Sequence, residues 1–307
     1  MRMRVLLPWK PRIIGRLRGA LLTVCVLGLT ACSAVRLGYD QGPTLAWWWL
    51  DRQLDFSSAQ KPRVQAALDD WFAWHRATQL PAYADELAQL QRLKTERLAP
   101  AQVCTLFAGW QQRLRTAATQ ALPAAAEIVR TLTPAQLEHL ERHQAEVLDD
   151  AARQFLKPGS TEAERRQALI DRETERFESL YGTLQDAQRR RLAEALVASP
   201  FDAERWLAER RARSADLLRA LRQWQAERAD AATVQAGLQR LADELLASPR
   251  PAYREQQRRV TEANCAIVAE LHNSATPAQR QRAAERLKRW EEDARALAAA
   301  PRGRVPQ

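Results

Sequence analysis

The chain predicts an all-α protein: an irregular bundle of about ten or eleven amphipathic helices behind a cleaved leader. Three observations carry that prediction. Ala, Leu, Arg, Gln and Glu dominate the 307 residues while Gly, Val and Ile are few, a composition that suits helices and disfavours sheets. Apolar residues recur at helical spacing through most of the chain. Pro and Ser/Thr caps punctuate it at intervals of roughly 15 to 30 residues from Ser57 onward. The length allows one large domain with a real core and no need of metal clusters.

The leader comes first. Residues 1–31 carry six basic groups (Arg2, Arg4, Lys10, Arg12, Arg16 and Arg18) and no acid, and Ala20 to Leu29 form the apolar run ALLTVCVLGL. That is the order of a secretory signal, and the run is shorter than the ~20 apolar residues a permanent membrane span needs. Removing this segment takes the net charge from +10 to +4, so the mature chain is only mildly basic. The apolar run ends in Leu29-Thr30-Ala31-Cys32, which resembles the lipobox of bacterial lipoproteins. The resemblance implies cleavage between Ala31 and Cys32 and lipidation of Cys32. Several acyl chains there would hold the protein to a membrane where one chain would not. Ser33 stands in place of an aspartate retention signal, which implies the outer membrane, facing the periplasm.

The expected organisation is a signal peptide over 1–31, a lipidated tether over 32–46, one all-helical periplasmic domain over 47–300 and a disordered tail over 301–307. Gly38, Gly42 and Pro43 suggest the tether. Trp47-Trp48-Trp49 has two readings: an aromatic belt at the membrane surface, or rings that fill the domain core. Of the four cysteines, Cys25 leaves with the leader and Cys32 is modified, which leaves Cys104 and Cys265 in an oxidising compartment. They either pair across a long loop or sit apart as buried thiols.

Helices are expected over 58–76, 82–97, 101–120, 124–131, 134–156, 161–181, 185–198, 202–229, 231–247, 251–272 and 277–299. In 134–156, Leu137, Leu140, Val147, Leu148, Ala151 and Phe155 share a stripe. In 251–272, Tyr253, Val260, Ile267 and Leu271 do so, with Asn264 on the same face. Lys157-Pro158-Gly159-Ser160 is the clearest break. Several helix starts repeat a short phrase: Leu98-Ala-Pro-Ala-Gln102, Leu132-Thr-Pro-Ala-Gln136, Ala275-Thr-Pro-Ala-Gln279 and, more loosely, Leu184-Gln-Asp-Ala-Gln188. Capping chemistry accounts for it. Thr133 or Thr276 caps, Pro134 or Pro277 takes the first helical position, and Gln136 or Gln279 reaches back to the cap.

Those phrases also resemble the LTxxQ motif of the periplasmic stress proteins Spy and CpxP, which implies a role in holding unfolded clients or signalling envelope stress. A broader resemblance spans the mature chain. The lipobox, Tyr39, Trp47 to Asp51, Trp71-Phe-Ala-Trp-His75, Gln79-Leu-Pro-Ala-Tyr83 and Ser248-Pro-Arg-Pro-Ala-Tyr-Arg254 resemble an uncharacterised family of Gram-negative lipoproteins. It implies an all-helical periplasmic lipoprotein and carries no catalytic or binding residues across.

Candidate chemistry is sparse. His139 and His143 are one helical turn apart, with Glu146 and Asp150 continuing the stripe, a weak metal-binding candidate without the HExxH order of zinc proteases. No GxGxxG, GxxxxGK[ST] or GxSxG occurs, so no phosphate loop or nucleophile elbow is expected and nucleotide is not an expected partner. The basic runs Gln188 to Arg191 and Glu209 to Arg213 carry acids nearby, and export argues against nucleic acid as a target. The expectation is a non-enzymatic, cofactor-free protein that binds the membrane through its anchor and another envelope protein or polymer through its helices. A Spy-like chaperone and a metal-dependent enzyme at His139 and His143 are the alternatives.

Overall fold

The structure is a computed structural model and describes residues 34–156 and 159–300. The leader, the cleavage and lipidation positions Ala31 and Cys32, and the 301–307 tail lie outside the described residues. The chain divides into two compact units, residues 1–41 and 42–307. In the first, α1 spans Ala34–Asp40. The second holds α2 (Gly42–Leu54), α3 (Lys61–Arg92), a 3-10 turn (Leu93–Thr95), α4 (Pro100–Val129), α5 (Pro134–Leu156), α6 (Glu162–Tyr181), α7 (Asp186–Val197), α8 (Ala203–Glu227), α9 (Ala231–Leu246), α10 (Pro251–Ser274) and α11 (Pro277–Ala299). Among the described residues the fold is all-α, with eleven α-helices and no strand.

Three expectations need correction. The stretch read as a tether is helical: α1 and α2 occupy most of 34–54. Gly42 marks a close approach there, because a Cβ at this position would lie 2.4 Å from the Phe72 ring, and Pro43 sits in the first turn, where its missing N–H costs nothing. Second, the breaks expected at Pro81 and Pro123 do not occur, and α3 and α4 run straight through them. An interior proline costs about 3 kcal/mol. Burial outweighs it here, since Leu80, Ala84 and Leu87 flank Pro81, and Leu122 and Ala126 flank Pro123, all in the core. Third, the three consecutive tryptophans do not share one environment. Trp47 is buried and stacks on Phe56 at 5.7 Å, whereas Trp48 and Trp49 are 63% and 64% exposed.

Helix α11 lies along α3, α4 packs on α9 and α10, α5 on α8, and α6 on α7 and α11. One core cluster joins the end of α4 and the start of α5 to α8 and α9 through Ala126, Leu137, Leu140, Leu218, Leu221, Trp224 and Val234. A second joins the end of α6 and α7 to α10 and α11 through Tyr181, Leu184, Leu192, Ile267, Leu271 and Ala283. A third gathers Leu98, Val103, Cys265 and Ala269. Cys104 and Cys265 are joined by a disulfide, with their Cα atoms 5.4 Å apart.

The repeated phrase at the helix starts does more than cap. Gln188 and Gln279 donate to one another, Nε2 to Oε1, at 2.9 and 3.0 Å. Each Oε1 also accepts from its own cap backbone, Gln185 N at 2.8 Å and Thr276 N at 2.9 Å. Each Nε2 also donates across to the other loop, to Ser274 O at 3.0 Å and Thr183 O at 2.9 Å. Gln60 and Gln136 repeat the arrangement, with mutual bonds of 3.3 and 2.9 Å and donation to Thr131 O and Asp55 O. Thus Phe56-Ser-Ser-Ala-Gln60 is a further copy of the phrase. A capping box accepts glutamate or glutamine alike. The crossed amide pair admits only glutamine, because a carboxylate has no N–H to give.

Candidate functional site

A cleft of about 570 Å³ lined with aromatic rings opens between the C-terminal end of α5, α6, the α7–α8 loop, the start of α8 and α10. Its volume falls within the range of roughly 300 to 1,000 Å³ usual for ligand pockets. Phe155, Phe177, Phe201, Trp206 and Tyr253 supply the rings, with Leu169, Val260 and Ile267 between them. Phe155 is the hinge of this wall: its ring lies 4.6 Å from Trp206 and 6.5 Å from Phe201, and the Arg172 guanidinium stands 5.0 Å from its centroid.

Charged side chains line the cleft beside the rings. Glu173 pairs with Arg176 at 3.1 Å and lies 3.7 Å from Arg172, and Arg210 covers the Trp206 ring at 4.8 Å. Arg213 sits 5.6 Å from the Tyr253 ring, and burial pushes the Tyr253 phenol above its ordinary value, so it stays a neutral donor. Gln257 on the α10 wall donates to Leu246 O, but its Oε1 is buried with no hydrogen-bond partner. Asn264, on the same face as the apolar stripe, is exposed and borders the same cleft. The cleft can thus bind apolar groups by burial and fix them by a few polar contacts.

Behind the α8 side of this wall stands a buried ionic network. Glu209 accepts from Ser248 Oγ at 2.7 Å, from Arg213 at 2.8 Å and from Arg250 at 3.2 Å, and Arg250 also pairs with Asp216. Arg254 donates to Ser248 O at 2.8 Å. Glu209, at 3% exposed, is thus a carboxylate paired inside the fold. The Ser248 to Arg254 segment owes its composition to this network, which fixes the start of α10.

The histidines expected as a weak metal candidate do not converge on a shared centre. His139 Nε2 meets Arg52 O at 2.9 Å, and His143 Nδ1 lies 3.6 Å from Glu146. Asp150 pairs with Arg153. Among the described residues no group of three or more His, Cys, Asp or Glu is placed to hold a metal ion. His272 Nδ1 instead meets the Tyr181 hydroxyl at 3.0 Å and its Nε2 meets Glu96 O at 3.2 Å. Burial lowers the His272 pKa and raises that of Tyr181 to about 12, so a neutral imidazole accepts from a neutral phenol. The Trp71 to His75 and Gln79 to Tyr83 segments are structural too. Trp71 stacks on His75 at 4.8 Å and donates to Ala117 O at 2.9 Å, and Tyr83 stacks on Trp110 at 5.4 Å. Those rings weld α3 to α4.

Comparison with known proteins places the chain. A family of unknown function, DUF6279, matches residues 52–254. The chain belongs to that family. The DUF6279 match runs from the end of α2 to Arg254, so it takes in the paired Gln60 and Gln136, the aromatic seam of α3 and α4, and the whole Glu209 network. It includes the Phe155, Phe177, Phe201, Trp206 and Tyr253 rings of the cleft and stops before Val260 and Ile267 on α10. No curated protein and no solved structure matches the chain.

Sequence reasoning singled out Phe155 and Tyr253 as core-stripe positions and missed the cleft. The only sequence signal was a density of aromatics, Phe155, Phe177, Phe201 and Trp206, around the Lys157 to Ser160 break.

Proposed function

We propose that this DUF6279 protein is a lipid-anchored envelope protein: exported, cleaved before Cys32, held at the outer membrane facing the periplasm, and non-enzymatic. Its helical unit binds an apolar segment of a partner protein in the aromatic cleft. The observation that carries the binding reading is the cleft itself, lined by five half-buried rings with Leu169, Val260 and Ile267 between them. Apolar burial would supply the affinity, and aromatic anchors in such a pocket dominate recognition. Support for the address is the basic leader and the Leu29 to Cys32 lipobox. Among the described residues no helix is long and apolar enough to cross a membrane, so attachment would rest on lipid.

The test is site-specific photocrosslinking in cells, with the reactive residue at Val260 in the cleft and at Arg289 on α11 as the outside control. A discrete adduct from Val260 that disappears in Phe201→Asp, with helicity unchanged, is the expected result. Equal adducts from both positions, or none from Val260, would refute the cleft as the binding site. A second reading, a Spy-like chaperone, draws on the LTxxQ-like phrases, in which Thr133 and Thr276 cap their helices and Gln136 and Gln279 join the crossed pairs. It predicts that the purified protein suppresses aggregation of a denatured model client at near-stoichiometric ratio and loses this in Phe201→Asp.

A further inference from the structure

Helix α2 shows two unlike faces. One is fixed in the fold: Trp47 is buried, stacks on Phe56 and lies under the Lys61 ammonium at 5.6 Å, and Asp51 accepts from Phe56 N at 3.1 Å. The other carries Leu45, Trp48, Trp49 and Arg52, the i, i+3, i+4, i+7 positions of a single stripe, and all four are exposed. Leu45 is half exposed and the two indoles are the most exposed tryptophans among the described residues. Burying the opposite face leaves this one no freedom to turn inward. Two adjacent solvent-facing indoles and a leucine are costly for a surface that meets only water.

We infer that this stripe docks in the headgroup region of the bilayer that carries the anchor, an inference that rests on lipidation of Cys32. Only thirteen positions separate Cys32 from Leu45, which is ~20 Å of helix or ~45 Å fully extended. An anchored chain therefore keeps the stripe within reach of the surface at every moment. Indole is the side chain best suited to the interface, with an apolar body and one N–H for the headgroups. Arg52 adds a cation on the same face for anionic phosphates. The contact would hold the unit in one orientation on the membrane and leave its distance from the bilayer fixed by α2 instead of by a loose tether.

The full lipoprotein, reconstituted in phosphatidylethanolamine and phosphatidylglycerol vesicles with and without bromine on the acyl chains near the glycerol, tests this. Bromine quenches only rings at the lipid interface. Wild type should lose roughly a fifth of its emission, the share of two rings among the ten tryptophans less Trp9. Trp48→Gln/Trp49→Gln should float equally well, keep its helicity and lose the bromine sensitivity. Bromine-insensitive emission in a wild type that floats overturns the docking face and leaves the anchor standing. A wild type that sediments as a dimer, reverting to monomer in the double variant, assigns the stripe to a second copy and also overturns it. Flotation of Cys32→Ala at the wild-type level would sink the anchor instead. In that case flotation abolished by adding the two tryptophan changes supports the face, and flotation that survives them overturns it.

Discussion

Replacing Gln279 by glutamate tests whether the crossed glutamine pairs are a cap or a joint. The side chain is 7% exposed and uses both ends: Oε1 accepts from Thr276 N at 2.9 Å and from Gln188, while Nε2 donates to Thr183 O at 2.9 Å and Gln188 Oε1 at 3.0 Å. Glutamate keeps the capping half. Its second oxygen, however, would face two acceptors in place of two bonds. Losing two hydrogen bonds at about 1 kcal/mol each and leaving buried acceptors unsatisfied gives a cost of about 3 kcal/mol near neutral pH. The penalty has a pH signature. Burial beside acceptors raises the new carboxyl's folded-state pKa above its unfolded value, so the folded state binds more protons, and the lost stability returns as pH falls towards 4. Gln102 supplies the internal control, because it makes the same capping bond to Ala99 N at 2.7 Å, is exposed, and has no glutamine opposite it. Gln102→Glu should change stability by no more than ~0.5 kcal/mol. Chemical denaturation followed by circular dichroism measures both. Equal small losses in the two variants would show that capping alone explains the repeat.

Three further outcomes follow from the packing. Reducing the Cys104–Cys265 bridge, which spans 161 positions, should lower stability by up to about 5 kcal/mol, seen as a lower denaturation midpoint with reductant that Cys104→Ser/Cys265→Ser reproduces without it. Burial holds His272 and His75 below the ordinary 6.5, so between 6.5 and their folded values the unfolded chain takes up protons that the folded one refuses. Melting temperature should accordingly fall as pH drops from 7 to 5, and His272→Gln should flatten that slope. Gly237 lies against Trp224, where an added Cβ would come within 2.1 Å of the indole. Gly237→Ala should therefore destabilise by about 1 to 3 kcal/mol despite alanine's better helix propensity, measured by thermal melts.

The helices were legible because their signals are local. Thr276, Pro277 and Gln279 announce the start of α11, and the structure places its first residue at Pro277. The errors fell where tertiary packing overrides a local rule. Pro81 and Pro123 are breakers by propensity, and only the burial of Leu80, Ala84, Leu122 and Ala126 shows why α3 and α4 continue. Gly42 read as a loop residue because sequence cannot reveal the Phe72 ring pressed against it. The reciprocal amides of Gln188 and Gln279 join positions far apart in the chain, so a pairing that decides Gln over Glu leaves no mark at either site alone. The cleft was illegible for the same reason: five elements contribute one ring each, and each ring, taken singly, reads as core.

Helix α5 ties the two functional proposals together. Its start is bound to α2, where His139 meets Arg52 O, and its end carries Phe155 into the cleft. Sixteen residues separate those two positions, about 24 Å along a helix axis. Val147, on the apolar stripe between them, is exposed, but Gln144 accepts from Ser214 and Phe155 meets Trp206, so α5 runs along α8 from the core to the cleft as a braced strut. A membrane contact at Leu45, Trp48 and Trp49 would then hold the cleft at a set remove from the lipid surface, the length of that strut. A helix-breaking change in its middle, Ala145→Pro, should uncouple the two: bromine quenching of Trp48 and Trp49 would persist while crosslinking from Val260 is lost. Loss of both together would mean that α2 and the cleft depend on a common core, and that α5 is no strut at all.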